Sequence, residues 1–223
     1  MTPLEARARG EVSIIVDDTH WLLPWRLDGS ATDAQAPLLL ALHGYGMHED
    51  LFATLLRDLS MLPWNIVTPR APGGSWYDYD GNQERFRTEL RRTNEMLTEF
   101  LQGFESQQGF VPRQRILLGF SQGGYCGSYV ALNNPKLFNG MVISGARVKV
   151  EILKDAIHAA AETGFRALLC HGNRDESVKP GAAQSSLDGL RNGGVNATLK
   201  HFDSGHSIGR SQVAAIRSWL ETF

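Results

Sequence analysis

Three polar residues that follow apolar runs could together perform nucleophilic chemistry. Ser121 lies in Gly119-Phe120-Ser121-Gln122-Gly123, a G-x-S-x-G pattern between the apolar run Ile116 to Phe120 and a helical stretch of small residues through Leu132. In a strand-to-helix context this pattern forms a sharp turn that holds the hydroxyl outward, and the turn needs small residues two before and two after the serine. A serine hydroxyl is a poor nucleophile at neutral pH and requires a base to take its proton and return it to the leaving group. Of seven histidines, His206 is the best placed, in Asp203-Ser204-Gly205-His206-Ser207-Ile208 between the last expected strand and the final helix. The base in turn needs a carboxylate to hold its tautomer and stabilise the imidazolium. Asp175 and Glu176 stand side by side in the loop His171 to Val178, at the end of another apolar run. Taken singly, these residues read as a helix-capping serine, a loop histidine and a solvated acid. Their common position after successive strands makes the set informative.

Other chemistries find less support. His43, His48, His171, His201 and His206 could be metal ligands, but no H-E-x-x-H and no Cys/His pairing accompanies them. No metal or cofactor is expected. Trp76, Tyr77, Tyr79 and Phe86 could line an acyl or aromatic pocket, or pack in the core. Cys126 and Cys170 are the only cysteines and lack redox or metal spacing, so both are expected free and buried. The net charge of -2 and scattered basic residues exclude an electrostatic footprint for nucleic acid. The densest basic cluster, Arg85 to Arg92, is interrupted by Glu89 and reads as a solvated helix face. Met1 to Gly10 carries Glu5, Arg7 and Arg9 and no apolar core of signal-peptide length, and the run Pro37 to Leu42 is too short to cross a bilayer. A cytoplasmic location is therefore expected, with no membrane span and an open oligomeric state.

The elements that must position these residues follow from periodicity. With 223 residues, 42% of them hydrophobic, the chain suits one domain over 1-223. Val12 to Val16 and Trp21 to Leu27, separated by Asp17-Asp18-Thr19, predict an antiparallel hairpin at an edge. Leu38 to His43, Asn65 to Thr68, Ile116 to Phe120, Met141 to Ser144, Ala167 to His171 and Ala197 to Phe202 predict strands. Several of these have no polar alternation, as expected of strands buried on both faces. Helices are predicted over Asp50 to Leu59, with Leu51, Leu55 and Leu59 at helical spacing, and over Glu84 to Phe104, with Phe86, Leu90, Leu97 and Leu101 on a broadly shared face. Further helices are predicted from Ser121 to Leu132, Ile152 to Ala161, Ala182 to Arg191 and Ser211 to Phe223. Alternating strands and helices imply an α/β fold with a mostly parallel sheet covered on both faces. Ligands in such folds bind beyond the carboxyl ends of the strands.

With these residues in hand, the chain resembles the phospholipase/carboxylesterase family, which includes acyl-protein thioesterases and small bacterial carboxylesterases. The likeness is carried by LHGYG at Leu42 to Gly46, PRAPGG at Pro69 to Gly74, GFSQGG at Gly119 to Gly124, and HGNRDESV with GHSI near the end. It implies a single-domain α/β-hydrolase without a large cap, a cofactor-free serine hydrolase of the EC 3.1.1 class, and a triad on Ser121, Asp175 and His206. The family's acid falls on Asp175 and not on Glu176. The turn His43-Gly44-Tyr45-Gly46 follows the first central strand, where α/β-hydrolases supply part of an oxyanion hole. The backbone amides of Tyr45 and Gln122 are therefore the expected donors, and Trp76 and Tyr77 are expected pocket residues. After His43-Gly44 the chain reads YGMHEDLF, without the glycine and tryptophan continuation of the lipid-active thioesterases, and SWYDYDGNQERF is its own. A small soluble ester is therefore expected as substrate, ahead of a lysophospholipid or an acylated protein. Dienelactone hydrolase chemistry is disfavoured because Ser121 replaces the cysteine expected there. A ligand-binding protein on a hydrolase fold is the non-enzymatic alternative.

Overall fold

Alternation of side chains across the buried strands builds two cores, one on each face of a single sheet. In the computed structural model, which describes residues 7–223, strand β3 (Leu38–Leu42) sends Leu38, Leu40 and Leu42 to one face and Leu39 and Ala41 to the other. The next strands repeat the division. Strand β5 (Arg115–Phe120) directs Leu117 to the first core and Ile116, Leu118 and Phe120 to the second. Strand β6 (Gly140–Ser144) divides Met141 and Ile143 from Val142, and β7 (Arg166–Gly172) divides Ala167 and Leu169 from Leu168 and Cys170. Each fully buried leucine stabilises the fold by roughly 1.5–3 kcal/mol, so both faces demand a helical cover.

That cover comes from six α-helices among the described residues. Helices α2 (Gln83–Gln108), α3 (Gln122–Asn133), α4 (Lys154–Glu162) and α5 (Pro180–Asn192) close the first core through residues such as Phe100, Val130, Ile157 and Leu190. Helices α1 (Glu49–Leu55) and α6 (Arg210–Leu220) close the second through Phe52, Val213 and Ile216. The eight strands take the order β1-β2-β4-β3-β5-β6-β7-β8, where β1 is Ala8–Val16, β2 Thr19–Asp28, β4 Asn65–Pro69 and β8 Asn196–Phe202. From β4 to β8 all pairings are parallel, while β1 with β2 and β2 with β4 are antiparallel. The expected edge hairpin is present. Its two-residue turn holds Asp17 and Asp18 at φ 49° and 56°, the positive pair that matches the twist of the flanking strands.

One expectation is corrected. The segment expected to be a single helix from Asp50 to Leu59 forms α1 and then a separate 3-10 turn, Arg57–Met61, with a break at Leu56. Its buried face is also displaced. Leu51 and Leu55 are exposed, whereas Phe52, Leu56 and Leu59 are buried, because the phenyl ring of Phe52 occupies the core beside Phe120. The same segment buries a carboxylate: Glu49 is 4% exposed and pairs with Arg70 just after β4. Strand β2 carries a buried fork, with Arg26 donating from Nε and Nη2 to the two carboxylate oxygens of Asp28 at 2.8 and 2.9 Å. Cys126 and Cys170 are both free and buried, as expected. Among the described residues no helix is long and apolar enough to cross a membrane; the first six residues of the N-terminal stretch lie outside the description.

Candidate active site

Ser121, Asp175 and His206 gather at the carboxyl ends of β5, β7 and β8, where strand-end loops converge. Ser121 sits between β5 and α3 at φ 52° and ψ −119°, a conformation rarely adopted by a residue with a side chain. Such backbone strain costs on the order of 1–3 kcal/mol and persists only where the surroundings enforce it. Here the neighbouring backbone does so. A Cβ on Gly119 would stand 2.3 Å from the Gly123 carbonyl oxygen, and one on Gly123 would stand 2.4 and 2.5 Å from the carbonyl oxygens of Leu42 and His43. The glycines two before and two after Ser121 therefore let strand, turn and helix approach to contact distance.

His206 reaches back to this serine. Its Nε2 lies 2.9 Å from Ser121 Oγ, and its Nδ1 lies 2.8 Å from Asp175 Oδ2. With Nδ1–H donating to the carboxylate, Nε2 is left as an acceptor for the hydroxyl proton. Asp175 is held by its own loop, since its Oδ1 accepts from the amides of Ser177 and Val178 at 2.9 and 2.8 Å. Burial opposes ionisation of this carboxyl most strongly. The Val178 amide and His206 outweigh it, and the carboxyl stays below its ordinary range. Glu176 is exposed, and of the adjacent pair it is Asp175 that meets His206.

Further residues steady the loops. His171 is fully buried at the end of β7, with Nε2 2.7 Å from the Val178 carbonyl oxygen and 3.6 Å from Asp175 Oδ2. A Cβ on Gly172 would stand 2.4 Å from the carbonyl oxygens of Ser204 and Gly205, so this glycine admits the loop that carries His206. His43, also fully buried, lies with Nδ1 2.8 Å from the Gly44 carbonyl oxygen and accepts the Ala71 amide at Nε2. Desolvation drives its pKa down and favours the neutral ring. His43 and His171 thus act in the structure as cross-braces. His48 caps α1, and His201 is exposed.

The turn after β3 lies against Ser121: a Cβ on Gly44 would stand 3.3 Å from Ser121 Cβ. Its neighbours Gly46 and Met47 donate to Gly74 and Gly44, while the Tyr45 amide has no backbone acceptor among the described residues. Gln122 opens α3, so its amide lacks an acceptor one turn back. These two amides are available to an oxygen that gains negative charge. The Tyr45 side chain is exposed.

The aromatic segment divides in two. Trp76 is 1% exposed, its indole Nε1–H donates to the His43 carbonyl at 2.8 Å, and its carbonyl accepts from Thr93 Oγ1 at 2.7 Å. Tyr77 lines a cleft of about 460 Å³ with Tyr79, Phe86, Tyr125, Arg147 and Lys149. Gln122, next to Ser121, joins both parts: its Oε1 accepts from the Trp76 amide at 3.0 Å, and its Nε2 donates to Ser75 Oγ and the Tyr77 carbonyl at 2.8 and 3.0 Å. Sequence reading assigned Gln122 only a backbone amide. Its side-chain role had no local signal, because its partners lie 45 to 47 positions away.

Comparison with known proteins agrees with this architecture. The family model described as Phospholipase/Carboxylesterase matches residues 29–223. Among solved structures, esterase PE8 is 25% identical with a TM-score of 0.73, covering 88% of this chain and 96% of its own. A carboxylesterase from Mesorhizobium loti is 23% identical with a TM-score of 0.73, covering 95% and 99%. Acyl-protein thioesterase 2 of Zea mays is 21% identical with a TM-score of 0.72, covering 89% and 97%. The latter two likenesses speak to the fold.

Proposed function

Since the chain belongs to the phospholipase/carboxylesterase family, whose members are hydrolases of the carboxylic-ester class, we propose that it cleaves small soluble esters through an acyl-enzyme on Ser121. The observation that carries this reading is the continuous relay from Ser121 Oγ through His206 to Asp175, at 2.9 and 2.8 Å. His206 takes the hydroxyl proton as Ser121 Oγ attacks the ester carbonyl, and Asp175 stabilises the imidazolium that forms. The amides of Tyr45 and Gln122 meet the negative oxygen of the tetrahedral intermediate, each such donor contributing about 3 kcal/mol to the transition state. The intermediate collapses as His206 protonates the leaving alcohol. Water, deprotonated by the same ring, then releases the acid and restores Ser121. A cleft of about 460 Å³, whose lining includes Tyr125 one helical turn from Ser121 and Tyr77 bonded to Gln122, suits a small substrate.

The test is hydrolysis of p-nitrophenyl esters of increasing acyl length by wild type and Ser121→Ala. Short-chain turnover that falls by on the order of 10⁶ in the variant is expected. Equal turnover by both proteins overturns the mechanism, and rates that climb steadily with acyl length point to a lipid or acyl-protein substrate instead.

A further inference from the structure

The cleft lined by Tyr77, Tyr125 and Lys149 combines aromatic walls with two cations, and the elements that carry its walls contact Ser121, Gln122 and His206. Tyr125 lies one helical turn beyond Ser121, its amide donating to the Ser121 carbonyl at 3.0 Å. The Tyr77 carbonyl is held by Gln122. Arg147 and Lys149 follow Gly145 in the loop that leaves β6, and a Cβ on Gly145 would touch the His206 ring at 3.4 Å. Tyr77 and Tyr79 each meet Phe86 edge to face, with centroids 5.1 and 5.2 Å apart. Burial raises the Tyr77 phenol, which therefore stays neutral.

The two cations differ in how they are compensated. Arg147 already pairs with Glu151 one turn on. Lys149 has no carboxylate within ion-pair distance among the described residues: its Nζ lies 3.4 Å from the amide oxygen of Gln83 and 4.6 Å from the Phe86 ring centroid. Burial, followed by repulsion from Arg147, lowers its pKa against a smaller attraction from Glu151. The adjoining depression contributes Arg87 and Arg91 beside Glu84 and Glu151. A chain with a net charge of -2 thus presents a cation-lined cleft whose wall residue Tyr125 lies one helical turn from Ser121.

We infer that Lys149, supported by Arg147, binds an anionic group, a carboxylate or a phosphate, on the non-reacting part of the ester, while Tyr77, Tyr79 and Phe86 pack against the portion between that group and the scissile carbonyl. The inference rests on the ester-hydrolase reading and narrows its substrate class. An interaction with a non-reacting part of the substrate is made in both ground and transition states, so it acts mainly on KM.

The experiment compares kcat/KM for matched neutral and anionic esters at constant ionic strength. The probes are p-nitrophenyl butyrate against the mono-p-nitrophenyl ester of glutaric acid, and phenyl butyrate against the butyryl esters of 3-hydroxybenzoate and of 3-hydroxyphenyl phosphate. The two series distinguish an anion on the acyl side from one on the alcohol side, and the last pair separates carboxylate from phosphate. A partly shielded charge pair of this kind predicts a preference of about tenfold or more for at least one anionic ester, mainly through KM and reduced by added salt. In Lys149→Met that ratio should approach one, and in Lys149→Glu it should invert. Equal use of neutral and anionic esters by wild type, or a Lys149→Met variant that lowers both alike, overturns the inference alone. Failure to turn over any ester overturns it together with the mechanism.

Discussion

The relay from Ser121 through His206 to Asp175 and the aromatic cleft are positioned by different means. Ser121, Asp175 and His206 stand on strand-end loops whose backbones touch: Gly123 lies against the carbonyls of Leu42 and His43, and Gly172 against those of Ser204 and Gly205. The wall carrying Trp76 and Tyr77 is held by hydrogen bonds from the Gln122 side chain, from Thr93 of α2, and from the Trp76 indole to the His43 carbonyl. The reactive geometry is thus enforced by close-packed backbone, where small displacements meet hard contacts. The cleft is held by a few hydrogen bonds, each of which typically contributes only about 0.5–1.5 kcal/mol. A hydrolase of this kind can vary its cleft while leaving its reactive core unchanged.

The sharpest way to break this contrast is to alter the relay without altering the backbone. Asp175→Asn keeps the shape of the side chain but no longer enforces the Nδ1–H tautomer of His206, and kcat should fall by on the order of 10⁴ with the fold intact by circular dichroism. The same variant should respond differently to acid. Because the Asp175 pKa is lower folded than unfolded, the ionised carboxylate stabilises the protein above the ordinary unfolded value of about 3.9, and that contribution disappears as pH falls through the folded value. Melting temperature measured from neutral to acidic pH should therefore decline less for Asp175→Asn; a steeper decline would contradict the electrostatic account of this residue.

A backbone-level change should affect both rate and stability. Gly123→Ala places a methyl 2.4 Å from the Leu42 carbonyl oxygen. It should destabilise the protein by about 1–3 kcal/mol and lower kcat/KM by roughly a hundredfold through displacement of Ser121. Denaturant unfolding and ester kinetics on the same sample check the pair, and an unchanged rate would show that the nucleophile turn tolerates the displacement.

The cleft should yield the mildest effects. Gln122→Ala retains the backbone amide but removes the side-chain bonds to Ser75, Trp76 and Tyr77. KM should rise by about tenfold with a smaller change in kcat, because the loop loses order while the triad keeps its supports. A collapse of kcat with KM unchanged would instead make Gln122 part of the reaction centre.

The same contrast explains how much was legible in the sequence. The buried strands could be read because burial on both faces leaves unbroken apolar runs, as in Leu38–Leu42 and Arg115–Phe120. The serine turn could be read because its steric demand falls on residues two before and two after Ser121. Asp175 and Glu176 could not be separated by chemistry alone, since both are acids in one loop, and the family pattern was needed to choose. The face of α1 was misplaced because Leu51, Phe52 and Leu55 are all apolar, so periodicity alone could not show that Phe52 would fill the core. Gln122 as a brace and Glu49 as a buried ion-pair partner depend on contacts 21 or more positions apart, for which local pattern carries no signal.

Covalent capture tests the central claim most directly. After incubation of the folded protein with a fluorophosphonate, peptide mass spectrometry should locate one adduct on Ser121, and Ser121→Ala should remain unlabelled. An adduct at another residue, or continued ester turnover by protein that resists labelling, would contradict Ser121 as the nucleophile.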